Sequence, residues 1–294
     1  MNSPMADDDG PVFEWYPIRL FLLYPGYKFA LVVLNQPFSD EALFRDLWAT
    51  AFMRVAADGG ANHIYKLNTE SASGQDYPLS ELDVIIGDLD SLSDEARAFF
   101  TTTRGRGHRS CRIIQDADQY ATDFTKAVRL VRKELSGRHT HLVCLGGLGG
   151  RADQGLSQLH HLYMFQTSPT YADGRMFLLS PESLSFVLKP GRHRIHVRER
   201  GALCSGFARV SGDPFAKYVG IVPVGRPSVI TTRGLEWDVQ DWPTEFGVQM
   251  STSNHVLPET DVVVVETTED VLFTIAWKEV QVVQLAEPLV GNKL

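Results

Sequence analysis

Only three cysteines occur in the 294 residues, Cys111, Cys144 and Cys204, and no two of them form a C-x-x-C pair. That excludes a disulfide framework and a zinc ribbon, and it points to a reducing, cytoplasmic location. Long apolar runs are missing as well: the stretch at 18–23 contains Arg19 and halts at Pro25-Gly26, so no membrane partner is expected. The opening carries Asp7, Asp8 and Asp9 where a secretory leader carries basic side chains. Basic charge is in deficit, 28 Lys plus Arg against 36 Asp plus Glu for a net charge of −8, and this offers nucleic acid no global attraction. A nucleotide remains admissible, because a bound cation and a few local positive groups offset a polyphosphate whatever the overall balance. Yet both common nucleotide fingerprints are lacking. There is no G-x-x-x-x-G-K-[ST], and Ala152 stands where the third glycine after Gly147-x-Gly149 should fall.

What is present reads as a folded chain, 44% hydrophobic and 22% charged. From 28 to 180, short apolar runs at 29–34, 53–57, 84–86, 112–114, 141–145 and 176–179 alternate with Gly- or Asp-rich turns and helical periodicity. That is βαβ grammar, and continuously apolar strands suit a parallel sheet covered on both faces. The clearest helix starts near Thr122, with Phe124, Ala127, Val128, Val131 and Leu135 on one face and Gly137 as its stop. Beyond Pro181 the grammar changes: 183–188, 218–224, 229–232, 247–251 and 262–277 are β-prone, and no long amphipathic helix follows. The expected fold is an α/β N-terminal domain with a mostly parallel sheet, followed by an all-β, sandwich-like C-terminal domain. The expected division is 1–27 as an N-terminal extension, 28–180 as a nucleotide- and Mg²⁺-binding catalytic domain, and 181–294 as a β-rich domain. The basic stretch at 192–217 lacks periodicity and is expected to be an exposed loop.

Acidic residues gather at strand ends. Asp58 follows 53–57, Asp88 and Asp90 follow 84–86, and Asp116 follows 112–114. Carboxyl ends of parallel strands share one sheet edge, where ligands bind, so these residues can converge on one cleft. Asp123 and Lys126 open the next helix, and Arg151 and Asp153 follow the turn Gly146-Gly147-Leu148-Gly149-Gly150. A single Asp in a turn is ordinarily a cap or an Asx turn, but repetition at successive strand ends calls for a common cause. Crowded carboxylates need a compensating cation, and hard oxygens suit Mg²⁺ bound to polyphosphate, so Mg-assisted phosphoryl chemistry is expected. The glycine-rich turn can present backbone N–H groups to phosphate, although such a turn is a weak signal alone. His160 and His161 have no histidine partner at ligand spacing and read as a surface or packed pair.

These residues carry a resemblance. Asp58-Gly59-Gly60-Ala61-Asn62, Gly87-Asp88-Leu89-Asp90-Ser91, Gln115-Asp116 with Thr122-Asp123-Phe124-x-Lys126-Ala127, and Gly149-Gly150-Arg151-x-Asp153-Gln154 stand in the order that thiamine pyrophosphokinases show. Pro223-Val224-Gly225, Thr232-x-Gly234-Leu235-x-Trp237 and Ser251-Thr252-Ser253-Asn254 continue that order, so the sequence resembles the family from 29 to 277. It departs at the long 192–217 stretch and at Val219, where the family often has cysteine. The resemblance implies a homodimer with thiamine at the subunit interface, and transfer of the pyrophosphoryl group of ATP to thiamine with AMP leaving. It implies Asp88, Asp90 and Asp123 as Mg²⁺ ligands, direct or through water, with Asp58 and Asp116 as supporting carboxylates. Lys126 and Arg151 would neutralise phosphoryl charge, and Gln115, Thr122, Gly149 and Gly150 would serve the ATP phosphates. Asp153 would either accept from the aminopyrimidine or position Arg151. Trp237, Ser251, Ser253 and Asn254 would form the thiamine pocket, an aromatic face suiting the thiazolium cation.

Two other readings stand beside it. Asp88-x-Asp90 after an apolar strand imitates a haloacid-dehalogenase-like phosphatase, but Leu92 occupies the place where that class wants Thr or Val. A non-catalytic thiamine-binding regulator would have lost its acidic ligands, and here all are present.

Overall fold

The computed structural model describes residues 10–22, 24, 26–70, 79, 81–102, 110–199 and 213–277. Six strands form a parallel block: β2 (Phe29–Val33), β3 (Met53–Ala57), β4 (Val84–Gly87), β5 (Arg112–Gln115), β6 (His141–Leu145) and β7 (Met176–Leu179). Their spatial order is β7-β6-β2-β3-β4-β5, every neighbouring pair parallel. Each residue of β2, β3 and β4 is buried, which explains the unbroken apolar sequences of β2 and β4; β3 buries one charged residue, Arg54, whose Nε donates to the Trp48 carbonyl at 2.7 Å. On one face Leu31, Val33, Ala56 and Ile85 pack with α2 (Glu41–Thr50), α3 (Gly60–Glu70) and α4 (Asp94–Thr102). On the other, Val32, Val55 and Ile86 pack with Phe124, Val128 and Val131 of α5 (Asp123–Glu134) and Leu162 of α6 (Ala152–Phe165). α5 starts where the sequence says it should, because the Thr122 hydroxyl accepts the Thr125 N–H at 3.1 Å. Asp123 in its first turn and Arg132 and Lys133 in its last complement the helix dipole. No helix among the described residues is long and apolar enough to cross a membrane.

The sheet does not stop at the change of grammar. β8 (Ser183–Leu188) pairs antiparallel with β7, and β15 (Val271–Trp277), β10 (Phe215–Val222) and β13 (Ser251–His255) follow, making ten strands in all. A second sheet of five strands has the order β1 (Val12–Trp15), β9 (Gly191–His196), β14 (Val262–Thr267), β11 (Ser228–Arg233) and β12 (Trp242–Thr244). Ile195, Val263 and Val265 from this sheet and Phe186, Phe273 and Ile275 from the long one share a core. The chain is thus an α/β half followed by a β-rich half, as the alternation of grammar implies.

Four expectations are corrected. The 192–217 stretch is not one loop, since Arg192–His196 lies in β9 and 215–217 in β10, while 200–212 falls outside the described residues. β9 alternates, but the inward position that hid the pattern is a histidine: His193 and Ile195 are buried, while Arg192 and Arg194 pair with Glu266 and Glu14. The strand expected at 247–251 lies instead at Ser251–His255, because Glu245 and Gln249 exchange backbone hydrogen bonds around a turn that Gly247 completes at φ +86°. The run at 262–277 is two strands, β14 and β15, separated by a polar turn at 268–270. The strand expected at 218–224 lies at Phe215–Val222.

The segment before residue 27 contributes β1, which pairs in parallel with β9 along the edge of the second sheet. Trp15 is fully buried, stacked on Phe186 at 4.5 Å and edge-on to Tyr171 at 4.9 Å. Its indole N–H donates to His193 Nδ1 at 2.9 Å, while His193 Nε2 lies 2.7 Å from the Lys189 carbonyl. The carbonyl only accepts, so Nε2 carries the proton and Nδ1 is bare. Burial pushes the His193 pKa down to about 4, which keeps the ring neutral and able to accept from the indole. Trp15→Ala opens a cavity and orphans Nδ1, and should cost about 3–5 kcal/mol of unfolding free energy in a denaturant titration. A loss below about 1 kcal/mol would show β1 to be a dispensable appendage.

Candidate active site

The carboxyl ends of β2, β3, β4 and β5 open onto one cleft of about 360 Å³. Asp58, directly after β3, adopts φ +42° to turn the chain into α3. At Gly60 the next turn passes so close to β2 that a Cβ would lie 2.4 Å from the Val33 carbonyl oxygen. At Gly87 a Cβ would sit 2.7 Å from the Asp58 Cβ and 3.0 Å from Asp123 Oδ1. A glycine is therefore what lets the acidic side chains of β3 and α5 meet over the end of β4.

Asp58, Asp88 and Asp90 each present an oxygen within 4.8 Å of the other two. Asp58 is buried. Its Oδ2 accepts the Ser91 N–H at 3.1 Å, whereas Oδ1 has no hydrogen-bond partner among the described residues. Burial pushes the Asp58 pKa up to about 6; the Ser91 N–H opposes that rise, and the carboxylates of Asp123, Asp88 and Asp90 add to it. Asp88 is held below the usual carboxylate range, chiefly by the Asp90 N–H and further by the Lys126 ammonium. Asp123 stands beside this trio and pairs with Lys126, whose Nζ lies 3.2 Å from Asp123 Oδ1 and whose side chain is only 2% exposed. An oxygen trio with a bare, buried acceptor has the chemistry of a hard divalent cation site, and the adjoining ammonium faces the same cleft.

The other expected residues fall into three places. Thr122 lines the cleft as the cap of α5. Gln115 donates to the Asp88 carbonyl at 3.2 Å, and Asp116 accepts the Asp118 N–H at 3.0 Å in an Asx turn, so both shape the rim. Gly149 and Gly150 close the turn after β6, in which Gly146, Leu148 and Gly150 all have positive φ. Arg151 caps α6 and is held by Asp153 through two hydrogen bonds, 3.0 Å from Nε and 2.5 Å from Nη2, with both side chains exposed. Trp237, Ser251, Ser253 and Asn254 belong to the β-rich half and do not line the cleft. Trp237 is 55% exposed, and Asn254 grips its backbone from both sides, accepting the Trp237 N–H at 3.1 Å and donating to the Trp237 carbonyl at 2.9 Å.

Residues assigned no role in the site from the sequence complete the wall. Asn35 and Gln36 follow β2, and Gln154, Ser157, Gln158 and His161 line the cleft from α6. The last four recur at i, i+3, i+4 and i+7, a polar stripe on a helix, and that spacing was the available signal.

Comparison with known proteins shows the family of this chain. Residues 44–172 match the family model for the thiamin pyrophosphokinase catalytic domain, and residues 192–272 match the one for the thiamin pyrophosphokinase vitamin B1 binding domain. Thiamine pyrophosphokinase 3 of Oryza sativa is 33% identical over 261 residues, covering 85% of this chain and 88% of the relative. Thiamine pyrophosphokinase 1 of Arabidopsis thaliana is 33% identical over 264 residues, covering 86% and 88%. Among solved structures, yeast thiamin pyrophosphokinase superposes with a TM-score of 0.73 at 23% identity, covering 95% of this chain and 96% of that one. The Candida albicans protein gives 0.72 at 23%, covering 91% and 93%. The structural likeness, at this identity, is one of fold.

Asp58 yields a signed pH prediction. Its folded pKa of about 6 exceeds the ordinary 3.8, so in metal-free protein the folded state holds the extra proton between those values. Stability from this group is present below about pH 4 and declines as pH rises to about 6. Relative to Asp58→Asn, the metal-free wild-type melting temperature should fall across that window and run parallel above it. The variant should be the more heat-stable at pH 7 and bind divalent cations more weakly. Parallel melting curves throughout would mean that Asp58 ionises normally.

Proposed function

Because the chain belongs to the thiamin pyrophosphokinase family and is thereby an enzyme of the kinase type, we propose that it transfers the pyrophosphoryl group of Mg-ATP to the hydroxyl of thiamine, giving thiamine diphosphate and AMP. The observation that carries this reading is the meeting of Asp58, Asp88 and Asp90 with the Asp123–Lys126 pair at one sheet edge. The hydroxyl oxygen attacks the β-phosphorus, the bond to the α-phosphate oxygen breaks, and AMP departs. Bound Mg²⁺ supplies neutralisation of the polyphosphate and a template for its oxygens. Asp58, Asp88 and Asp90 would hold it, and Asp123, which fixes the Lys126 ammonium, would serve it directly or through water. Lys126 cannot swing away, because its stem is buried, so it meets charge that grows on the transferring oxygens. In the turn at 146–150 the N–H groups of Gly146 and Gly147 go to the Leu179 carbonyl and that of Leu148 to Gln158, so Gly149 and Gly150 are the ones assigned to phosphate, and Arg151, steadied by Asp153, receives the departing AMP.

Thiamine is assigned to Trp237, Ser251 and Ser253, with Asn254 holding the Trp237 backbone. Since Trp237 does not line the cleft of its own chain, the reading includes a homodimer in which one protomer's Trp237 serves the partner's cleft. The thiols of Cys111 and Cys144 are buried and unpaired, which accords with the cytoplasmic location proposed here.

Incubation with thiamine and Mg-ATP should yield AMP and a diphosphate ester in equal amounts by ³¹P NMR. ADP with a monophosphate ester, or inorganic phosphate alone, would overturn the assignment. Asp88→Asn and Asp90→Asn should each nearly abolish AMP release while leaving the protein folded. Lys126→Ala should depress kcat more than thiamine affinity, since its charge acts on the transition state.

The aromatic assignment has its own test. A desolvated cation on an indole face gains on the order of 2 kcal/mol, so Trp237→Leu should weaken thiamine binding about tenfold or more and leave ATP binding nearly unchanged. Heterodimers of Trp237→Leu and Asp88→Asn subunits should recover one intact site of two. Absence of recovery in verified heterodimers would place Trp237 in its own subunit's site.

A further inference from the structure

The cleft wall holds a buried imidazole for which the proposed reaction has no use. His161, on the third turn of α6, is 2% exposed and stacks on Phe124 of α5 at 4.6 Å and 15°. Its Nε2 lies 2.8 Å from the Thr122 hydroxyl and 2.8 Å from the Thr125 hydroxyl, and those two hydroxyls are 3.1 Å apart. Nδ1 lies 2.5 Å from the Ser157 carbonyl oxygen, which only accepts, so Nδ1 carries the proton and Nε2 is an acceptor. Burial holds the ring's pKa below the ordinary histidine value, in keeping with a neutral ring.

The proton inventory fixes what the ring does. Thr122 Oγ1 already accepts the Thr125 N–H, so its own proton can go only to His161 or to the Thr125 hydroxyl among these partners. The Thr122 carbonyl accepts the Lys126 N–H at 3.0 Å. Thr122 is therefore pinned on three sides, and the residues it carries into α5 are Asp123 and, one turn on, Lys126. We propose that His161 is a positioning residue for phosphoryl transfer: through the Thr122 and Thr125 hydroxyls it sets where the first turn of α5 holds Asp123 and Lys126. This rests on the function proposed above.

One turn earlier on the same helix, Gln158 accepts the Leu148 N–H and donates to the Gly146 carbonyl at 3.3 Å. α6 thereby braces the glycine-rich turn and the cap of α5 from one face. Packing alone would need only the stack on Phe124. The two hydroxyl contacts add aim, and aim matters because a misplacement of about 1 Å can cost a hundredfold in rate.

The test uses the full chain with three variants. His161→Phe keeps bulk and stack but loses every hydrogen bond, and it should lower kcat about tenfold with thiamine KM changed less than about threefold. His161→Gln returns an amide oxygen near the Nε2 position and should recover most of kcat. Thr125→Val removes one hydroxyl isosterically, should lower kcat severalfold, and should be non-additive with His161→Phe; it reads the same contact if His161→Phe does not fold. Hydrogen exchange of the Thr125 and Lys126 amides needs no turnover, and it should quicken about tenfold in His161→Phe and stay at the wild-type rate in His161→Gln. Unchanged kcat and exchange in His161→Phe, or equal losses in His161→Phe and His161→Gln with parallel drops in melting temperature, would reduce His161 to packing. Failure of the wild type itself to release AMP would sink the proposed function, and the exchange rates would still decide whether His161 fixes the α5 turn.

Discussion

Like-charge repulsion at the end of one sheet is the constraint to which the rest of the structure answers. Asp58, Asp88 and Asp90 crowd within 4.8 Å, with Asp123 close enough to raise the Asp58 pKa further. One buried ammonium, that of Lys126, answers them from within the chain. Such a cluster relaxes by spreading unless its backbone is held, and here two of the four carboxylates are rooted in regular elements, while Asp88 and Asp90 lie in the loop directly after β4. Asp58 hangs from a strand buried on both faces, and Asp123 from a capped helix packed on that sheet. Gly87 keeps the space between them clear of a side chain. The fold thus keeps open an electrostatic deficit that a divalent cation is suited to fill.

That rigidity reaches past the α/β half. The ten-stranded sheet runs without interruption from the parallel block into β8, β15, β10 and β13, so the strand ends bearing the carboxylates share a hydrogen-bonded frame with the β-rich half. The frame is closed by β1, whose Trp15 inserts among Phe186, Tyr171 and His193. A segment from before the first parallel strand therefore buttresses the half that follows the last one. Asn254 belongs to β13 of the same sheet and clasps the Trp237 backbone, which ties that exposed ring to the frame as well.

The parts of this arrangement legible in the sequence are those set by local rules. The six parallel strands announced themselves as short apolar runs, unbroken in β2 and β4 where burial on both faces demands it, and the carboxylates because turns at strand ends follow directly in the chain. The Thr122 cap and the apolar face of α5 were equally plain. β9 was hidden because its inward residue is His193, whose burial depends on a hydrogen bond to Trp15, 178 residues earlier. No window along the chain contains that fact. The joining of the sheets' two parts was illegible for the same reason, since β8 follows β7 through a short turn that reads like a boundary and is in fact a hairpin. In the site, the trio's membership depended on distance: Asp58 stands with Asp88 and Asp90, while Asp123 is drawn to Lys126.

His161 shows the limit most clearly, because its type is legible and its task is not. As a sequence feature it is one of two adjacent histidines without ligand spacing, and a packed residue is the economical reading. Packed it is, against Phe124. The same ring also faces two hydroxyls on the turn that opens α5, and α6 reaches both that turn and the glycine-rich one through residues three apart, Gln158 and His161. A helix that touches two neighbouring structures through one polar stripe fixes their separation, because its own backbone hydrogen bonds hold its length. The stripe is then a ruler between the turn that opens α5 and the glycine-rich turn after β6, and α6 fixes the separation of the two.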